Sequence, residues 1–123
     1  MIKFVPVSCE KLEEKYSSDS SYCGYVGYDL SADGGECGLC VFRPDGYTVD
    51  VLDLKVLNED AETAEGFIRS ALNYAANRGA YIAYYKAPQW IQTAELLGFK
   101  KDKNDVLCGE IPELLKGSCC KGK

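Results

Sequence analysis

The sequence predicts a mixed α/β fold, in which antiparallel strands lead into a strand–helix–strand unit. Three observations carry this. Strand-like segments joined by turn chemistry fill residues 22–56, the apolar period then changes from two to 3.6 over residues 59–78, and a further apolar strand follows at 80–85. A strand, a long helix and a second strand imply a crossover, so segments 47–56 and 80–85 are expected to lie side by side and parallel.

Residues 2–7 (IKFVPV) read as the first strand. Pro6 puts it at an edge or marks its end, because proline cannot donate to a ladder. Ser8 can cap a short helix over Cys9–Tyr16, and the serine-rich stretch 17–21 is a loop. In residues 22–30, alternation places Tyr22, Val26, Tyr28 and Leu30 on one side. Residues 31–35 form a turn and 36–43 the next strand, and Pro44-Asp45-Gly46 signals a hairpin. Residues 47–56 (YTVDVLDLKV) put Val49 and Val51 on one face and Leu52, Leu54 and Val56 on the other, as expected of a strand covered on both sides.

Ala64, Phe67, Ile68, Ala71, Leu72 and Ala75 then form one helical stripe. Asn58 is the expected N-cap, the acids Glu59, Asp60, Glu62 and Glu65 suit the positive end of the helix dipole, and Gly79 suits the C′ position. After the strand at 80–85, Pro88 is expected at N1 of a second helix with the stripe Trp90, Ile91, Ala94 and Leu97, closed by Gly98 and a packing Phe99. Residues 105–111 make the last strand. The tail from Pro112 to Lys123 is expected to hold one helical turn and then fray. No repeat or linker divides the chain, so residues 1–123 are read as a single domain.

Composition narrows the function. The formal charge is −5, with no basic stripe, which argues against a nucleic-acid partner. Apolar runs are far shorter than the ~20 residues a bilayer needs, and the N-terminal residues lack the apolar core of a signal peptide, so a cytoplasmic protein without a membrane partner is expected. Seven cysteines without such a signal fit thiols in a reducing compartment. There is no histidine, which removes Ser-His-Asp, Cys-His and zinc–histidine chemistry.

From about Tyr47 to Ile111 the chain resembles the GNAT-type N-acetyltransferases. The resemblance rests on the strand VDVLDLKV, the helix end ALNYAANRG, the strand YIAYY, and the segment AELLGFKK with its Leu-Gly-Phe at 97–99. It implies a GNAT-like fold and transfer of an acetyl group from acetyl-CoA to a small-molecule or protein amine. It further implies that the main chain at Leu54, Val56 and Leu57 holds the pantetheine arm, and that Thr63, Ala64 and Glu65 lie at the pyrophosphate. The family's glycine-rich Gln/Arg-x-x-Gly-x-Gly/Ala loop falls here on Glu59-Asp60-Ala61-Glu62-Thr63-Ala64, and only Ala64 fits. Carboxylates at such a helix start repel pyrophosphate by about 1 kcal/mol per close pair even in bulk water. The family's tyrosine acid falls on Ala94. Tyr84 and Tyr85 are the candidate replacements, with sheet packing as the alternative role, and Glu110 is a candidate base. One short helix, where the family usually has two, makes the chain a divergent, shortened member of the pattern.

Two further functions compete. One is a non-catalytic binding or interaction module that keeps the cleft but has lost acetyl-CoA chemistry. The other is a cysteine-based metal or redox protein using Cys37-x-x-Cys40 with Cys119 and Cys120. Against the latter, Cys37 and Cys40 point to opposite faces of a regular strand, and buried thiols are ordinary core residues.

Overall fold

The computed structural model describes residues 2–7, 23–29, 35–57 and 59–120, apart from the side chains of residues 2, 7, 29 and 116–120. The predicted helix Cys9–Tyr16, the loop 17–21, Tyr22, Leu30, the turn at 31–34 and Asn58 lie outside the described residues. Strands β1 (Ile2–Val7), β2 (Cys23–Asp29), β3 (Glu36–Asp45), β4 (Thr48–Val56), β5 (Ile82–Tyr85), β6 (Lys100–Lys101) and β7 (Leu107–Glu110) form one sheet in the order β1-β2-β3-β4-β5-β7-β6. β1 to β4 run antiparallel, β4 and β5 pair in parallel, and β5 and β6 flank β7 antiparallel. Helices α1 (Ala61–Ala76), α2 (Ile91–Leu97) and α3 (Ile111–Cys120) complete the described elements.

The parallel pair follows from the expected crossover: a 16-residue helix is long enough to carry the chain back to the start of a neighbouring strand. The α1 stripe is the one expected from the sequence. It buries Ala64, Phe67, Ile68, Ala71, Leu72 and Ala75, and Thr63 joins them. Phe67 stacks edge-on against Phe4 of β1, and Tyr74 meets Phe42 and Tyr25 edge-on. The aromatic layer between helix and sheet therefore spans β1 to β3. At the helix end, Gly79 takes a φ of 99° and Ala80 N–H bonds back to the Ala75 carbonyl.

A bulge corrects the expected alternation in β4. Val41 pairs with Asp53, but Phe42 pairs with Val51, so Leu52 is an extra residue opposite β3. The inserted residue resets the parity, and Val49, Val51, Leu54 and Val56 all enter one core with Phe42 and Cys40. Asp53 pairs with Val41 and Asp50 with Arg43, so the two aspartates share the opposite face although they are three residues apart. β3 carries a second irregularity. Gly27 pairs with Gly38 and Tyr28 with Glu36, leaving Cys37 as the extra residue.

Three other expectations change. The hairpin turn is Gly46-Tyr47, because Pro44 and Asp45 still pair with Val49 and Thr48 inside the sheet. α2 begins at Ile91, not Pro88: Trp90 holds a left-handed φ of 60°, which a helix cannot continue through. Ile91 is accordingly exposed, while Ala94 and Leu97 remain in the core. Third, β7 is shorter than expected and the segment after it is helical through Cys120. Ile111 and Leu114 are buried, and Leu114 packs over Gly109. That contact gives the tail an apolar anchor.

Candidate active site at the β4–β5 gap

β4 and β5 pair over only four residues, Thr48–Val51 against Ile82–Tyr85. The last bond across them runs from Lys86 N–H to the Val51 carbonyl at 2.8 Å. β4 continues to Val56, still paired with β3, so the sheet opens beyond Val51. Leu57 N–H donates to the Cys37 carbonyl, which turns that residue toward β3. By alternation the main chains of Leu54 and Val56 face the gap, and β5 offers them no partner among the described residues. The Val56 carbonyl accepts from Glu59 N–H at 3.2 Å, leaving Leu54 N–H, Leu54 C=O and Val56 N–H toward the opening.

The start of α1 lies at the end of β4. Asp60, not the expected Asn58, is the N-cap: its carboxylate accepts Glu62 N–H at 3.3 Å and the Thr63 hydroxyl at 3.0 Å. Glu59 precedes it with a left-handed φ of 52°. Thr63 and Ala64 are buried, and Glu65 is half-buried. The helix dipole is thus already met by a carboxylate of the chain, where an anionic ligand would otherwise meet open amides.

Tyr85 closes the paired end of the gap. It is only 3% exposed, its hydroxyl donates to the Gln89 carbonyl, and its ring packs on Phe99. Burial pushes the phenol's pKa up, with smaller contributions from Cys40 and Asp53. Burial, followed by Asp53, likewise raises that of the fully enclosed Cys40 thiol. Both groups therefore hold their protons at neutral pH. The raised values set a sign for pH dependence. Below the ordinary values of 9.0 for the thiol and 10.0 for the phenol, neither state ionises. Above them the unfolded chain releases protons that the folded chain keeps, so stability falls as pH rises. We predict a slope that grows to about 1.4 kcal/mol per pH unit for each such group once the pH passes its ordinary value, measured by urea unfolding from pH 8 upward. Cys40→Ala should remove the thiol's share. An unchanged slope in that variant would count against its burial.

No protein-family model matches the chain, and no curated protein matches it. Solved structures do. Mutant forms of the spermidine/spermine N-acetyltransferase SpeG from Vibrio cholerae align with a TM-score of 0.67 over 96% of this chain and 99% of theirs, at 12% identity. A GNAT family acetyltransferase from Elizabethkingia anophelis with acetyl-CoA bound aligns with a TM-score of 0.67 over 89% and 97%, at 12% identity. The ribosomal-protein-S18-alanine N-acetyltransferase of Escherichia coli gives 0.64 over 90% and 94%, at 9% identity. The chain has the GNAT fold.

Within this GNAT fold the candidate residues fall in different places. Tyr85 lies at the mouth of the gap on the helix side. Tyr84 pairs with Asp50 and points to the opposite face. Glu110 lies at the far end of β5, where it accepts the Tyr81 hydroxyl. Glu110 is thus remote from the opening. Cys37 and Cys40 are both buried, and no group of three metal-ligating side chains occurs among the described residues. The thiols of Cys119 and Cys120 lie outside the described side chains. No helix among the described residues is long and apolar enough to cross a membrane.

Two lysines near the end of β5 are not singled out by the sequence. Asp50, 8% exposed, is bonded by Arg43 and Lys86, each at 3.3 Å, and so ties the Lys86 ammonium to the face opposite α1. Lys101 comes from the β6–β7 hairpin and pairs with Asp105 at 3.5 Å. The available signal was the lysine density of residues 100–103 in an acidic chain, but nothing local says that this hairpin meets the end of β5.

Proposed function

We propose that the chain transfers an acyl group from an acetyl-CoA-type thioester to an amine in the β4–β5 gap. The observation that carries this reading is the early end of the parallel pairing at Val51 and Lys86, which leaves Leu54 and Val56 main-chain groups to bond the amides of a pantetheine arm. Two aligned GNAT-fold structures hold acetyl-CoA. In the reaction the amine nitrogen attacks the thioester carbonyl, a C–N bond forms, and the C–S bond breaks. Asp53, on the gap's outer face, accepts the amine proton directly or through water. The leaving thiolate takes its proton from solvent, to which Asp53 returns the amine proton, because burial raises the Tyr85 phenol well above the ordinary thiol value and its hydroxyl is engaged with the Gln89 carbonyl.

The Asp60 cap supports a second reading, a binding module that does not use coenzyme A. One titration separates them. Acetyl-CoA at ~100 times its dissociation constant should stabilise the fold by about 2.7 kcal/mol in a thermal-shift assay, and pantetheine should act in the same direction. No shift with millimolar acetyl-CoA, together with no acylation of a panel of amines, would leave the module.

A further inference from the structure

The charges around the gap are arranged in an unusual way. The α1 end, where the fold offers amides to an anion, carries Glu59, Asp60, Glu62 and Glu65. The opposite side, at the end of β5, carries the cations. A cleft of about 400 Å³ opens there, within the size range of small-molecule sites. Tyr85, Ala87, Pro88 and Ile91 form one apolar wall, and Val106 and Leu107 the other. Lys86, Lys101 and Asp105 also line it.

The charged residues that line the cleft, Lys86, Lys101 and Asp105, sum to +1 although the whole chain carries −5. The Asp50 charge beside Lys86 is shared with Arg43. The hairpin holds Lys100, Lys101 and Lys103 against Asp102 and Asp105. Asp102 is engaged in the turn itself, where its carboxylate accepts Asn104 N–H at 2.8 Å and Val106 N–H at 3.1 Å. Asp105 pairs with Lys101 only at the exposed surface, and such pairs separate at little cost. Asp105 and Trp90 also hold left-handed φ values of 64° and 60° on the two sides of the cleft, and strained residues of this kind persist where the surrounding structure fixes a site.

We infer that this cleft receives the acceptor, and that the acceptor is an apolar amine bearing a carboxylate, of the chemical class of an apolar α-amino acid. The inference rests on the acyl-transfer reading for the word acceptor, but the binding it describes does not need the acyl donor. The apolar body lies between Tyr85, Ile91 and Leu107. The carboxylate meets Lys101 at the surface and Lys86 beside its Asp50 partner, and the amine is left toward the end of β5.

The test is a calorimetric and thermal-shift titration with phenylalanine, phenylalaninamide and lysine, without any thioester. Phenylalanine should bind and raise the melting temperature. Phenylalaninamide, which lacks the carboxylate, should bind at least tenfold more weakly, and lysine should not bind. Lys101→Glu, on an exposed two-residue strand, should melt like the parent protein and lose at least tenfold in phenylalanine affinity. Lys86→Met should lose affinity in the same direction. Equal binding of phenylalanine and its amide, or undiminished affinity in Lys101→Glu, would overturn the proposal. Phenylalanine binding in a protein that ignores acetyl-CoA would uphold this cleft and remove only the acyl-transfer reading.

Discussion

Phe67→Ala is expected to lower the unfolding free energy by about 3–5 kcal/mol, the cost of deleting a fully buried phenylalanine. The effect should sit at the top of that range because the surrounding structure cannot collapse into the cavity. Phe67 fills the space over two glycines on paired strands, Gly27 and Gly38, and its ring also meets Phe4. The converse substitutions test the same packing from below. A Cβ on Gly27 would stand 2.7 Å from Phe67 Cζ and 3.0 Å from Cys37 Sγ. A Cβ on Gly38 would collide with the Lys55 carbonyl and stand 2.9 Å from the Phe67 ring. Overpacking of this kind costs about 1–3 kcal/mol, and more where the obstacle is main chain. Gly27→Ala should therefore be relieved in a Phe67→Leu background, with a coupling of about 1 kcal/mol or more, whereas Gly38→Ala should not. Urea unfolding of the three single and two double variants measures this. Additive effects of Gly27→Ala and Phe67→Leu would show that the ring does not occupy that space.

Under the acyl-transfer proposal, Asp60→Asn combined with Glu62→Gln is expected to tighten acetyl-CoA binding about tenfold or more at low salt. Two carboxylate charges leave the first turn of α1, each worth about 1 kcal/mol against a nearby phosphate in water and more where solvent is excluded. Asparagine can still cap the helix, so the fold should lose only a few tenths of a kcal/mol, or about 1 if the capping geometry suffers. Affinity and stability should thus move in opposite directions. The gain should shrink at 0.5 M salt, as exposed charges are screened. Unchanged affinity for acetyl-CoA, measured by calorimetry at two salt concentrations, would show that its phosphates do not approach α1.

The same helix start illustrates how far a linear reading reaches. The apolar stripe from Ala64 to Ala75, the stop at Gly79 and the acid-rich entrance are all local patterns, so each was legible. The neighbouring parallel strands followed from the stripe's length. Which residue caps the helix was not legible, because Asn58 and Asp60 are both good caps, and the choice depends on where β4 ends and on Glu59 taking a left-handed turn. The apolar pattern of Leu52, Leu54 and Val56 misled for a related reason. Periodicity assumes an uninterrupted strand, and a bulge opposite β3 is created by the partner strand as much as by the bulged one. Trp90 stopped α2 short of Pro88 in the same way, by a backbone turn that its own side chain does not announce.

By itself, then, the sequence determined the strand and helix periods, the crossover, the acidic character of the α1 entrance and the absence of histidine chemistry. These depend on residue type and spacing over a few turns of chain. Only the tertiary structure decided where β4 and β5 part, that Asp50 and Asp53 share a face, and that Lys86 and Lys101 meet at one cleft. Those facts join residues distant in sequence. Their geometry depends on bulges, register and hairpin placement, which local composition does not encode.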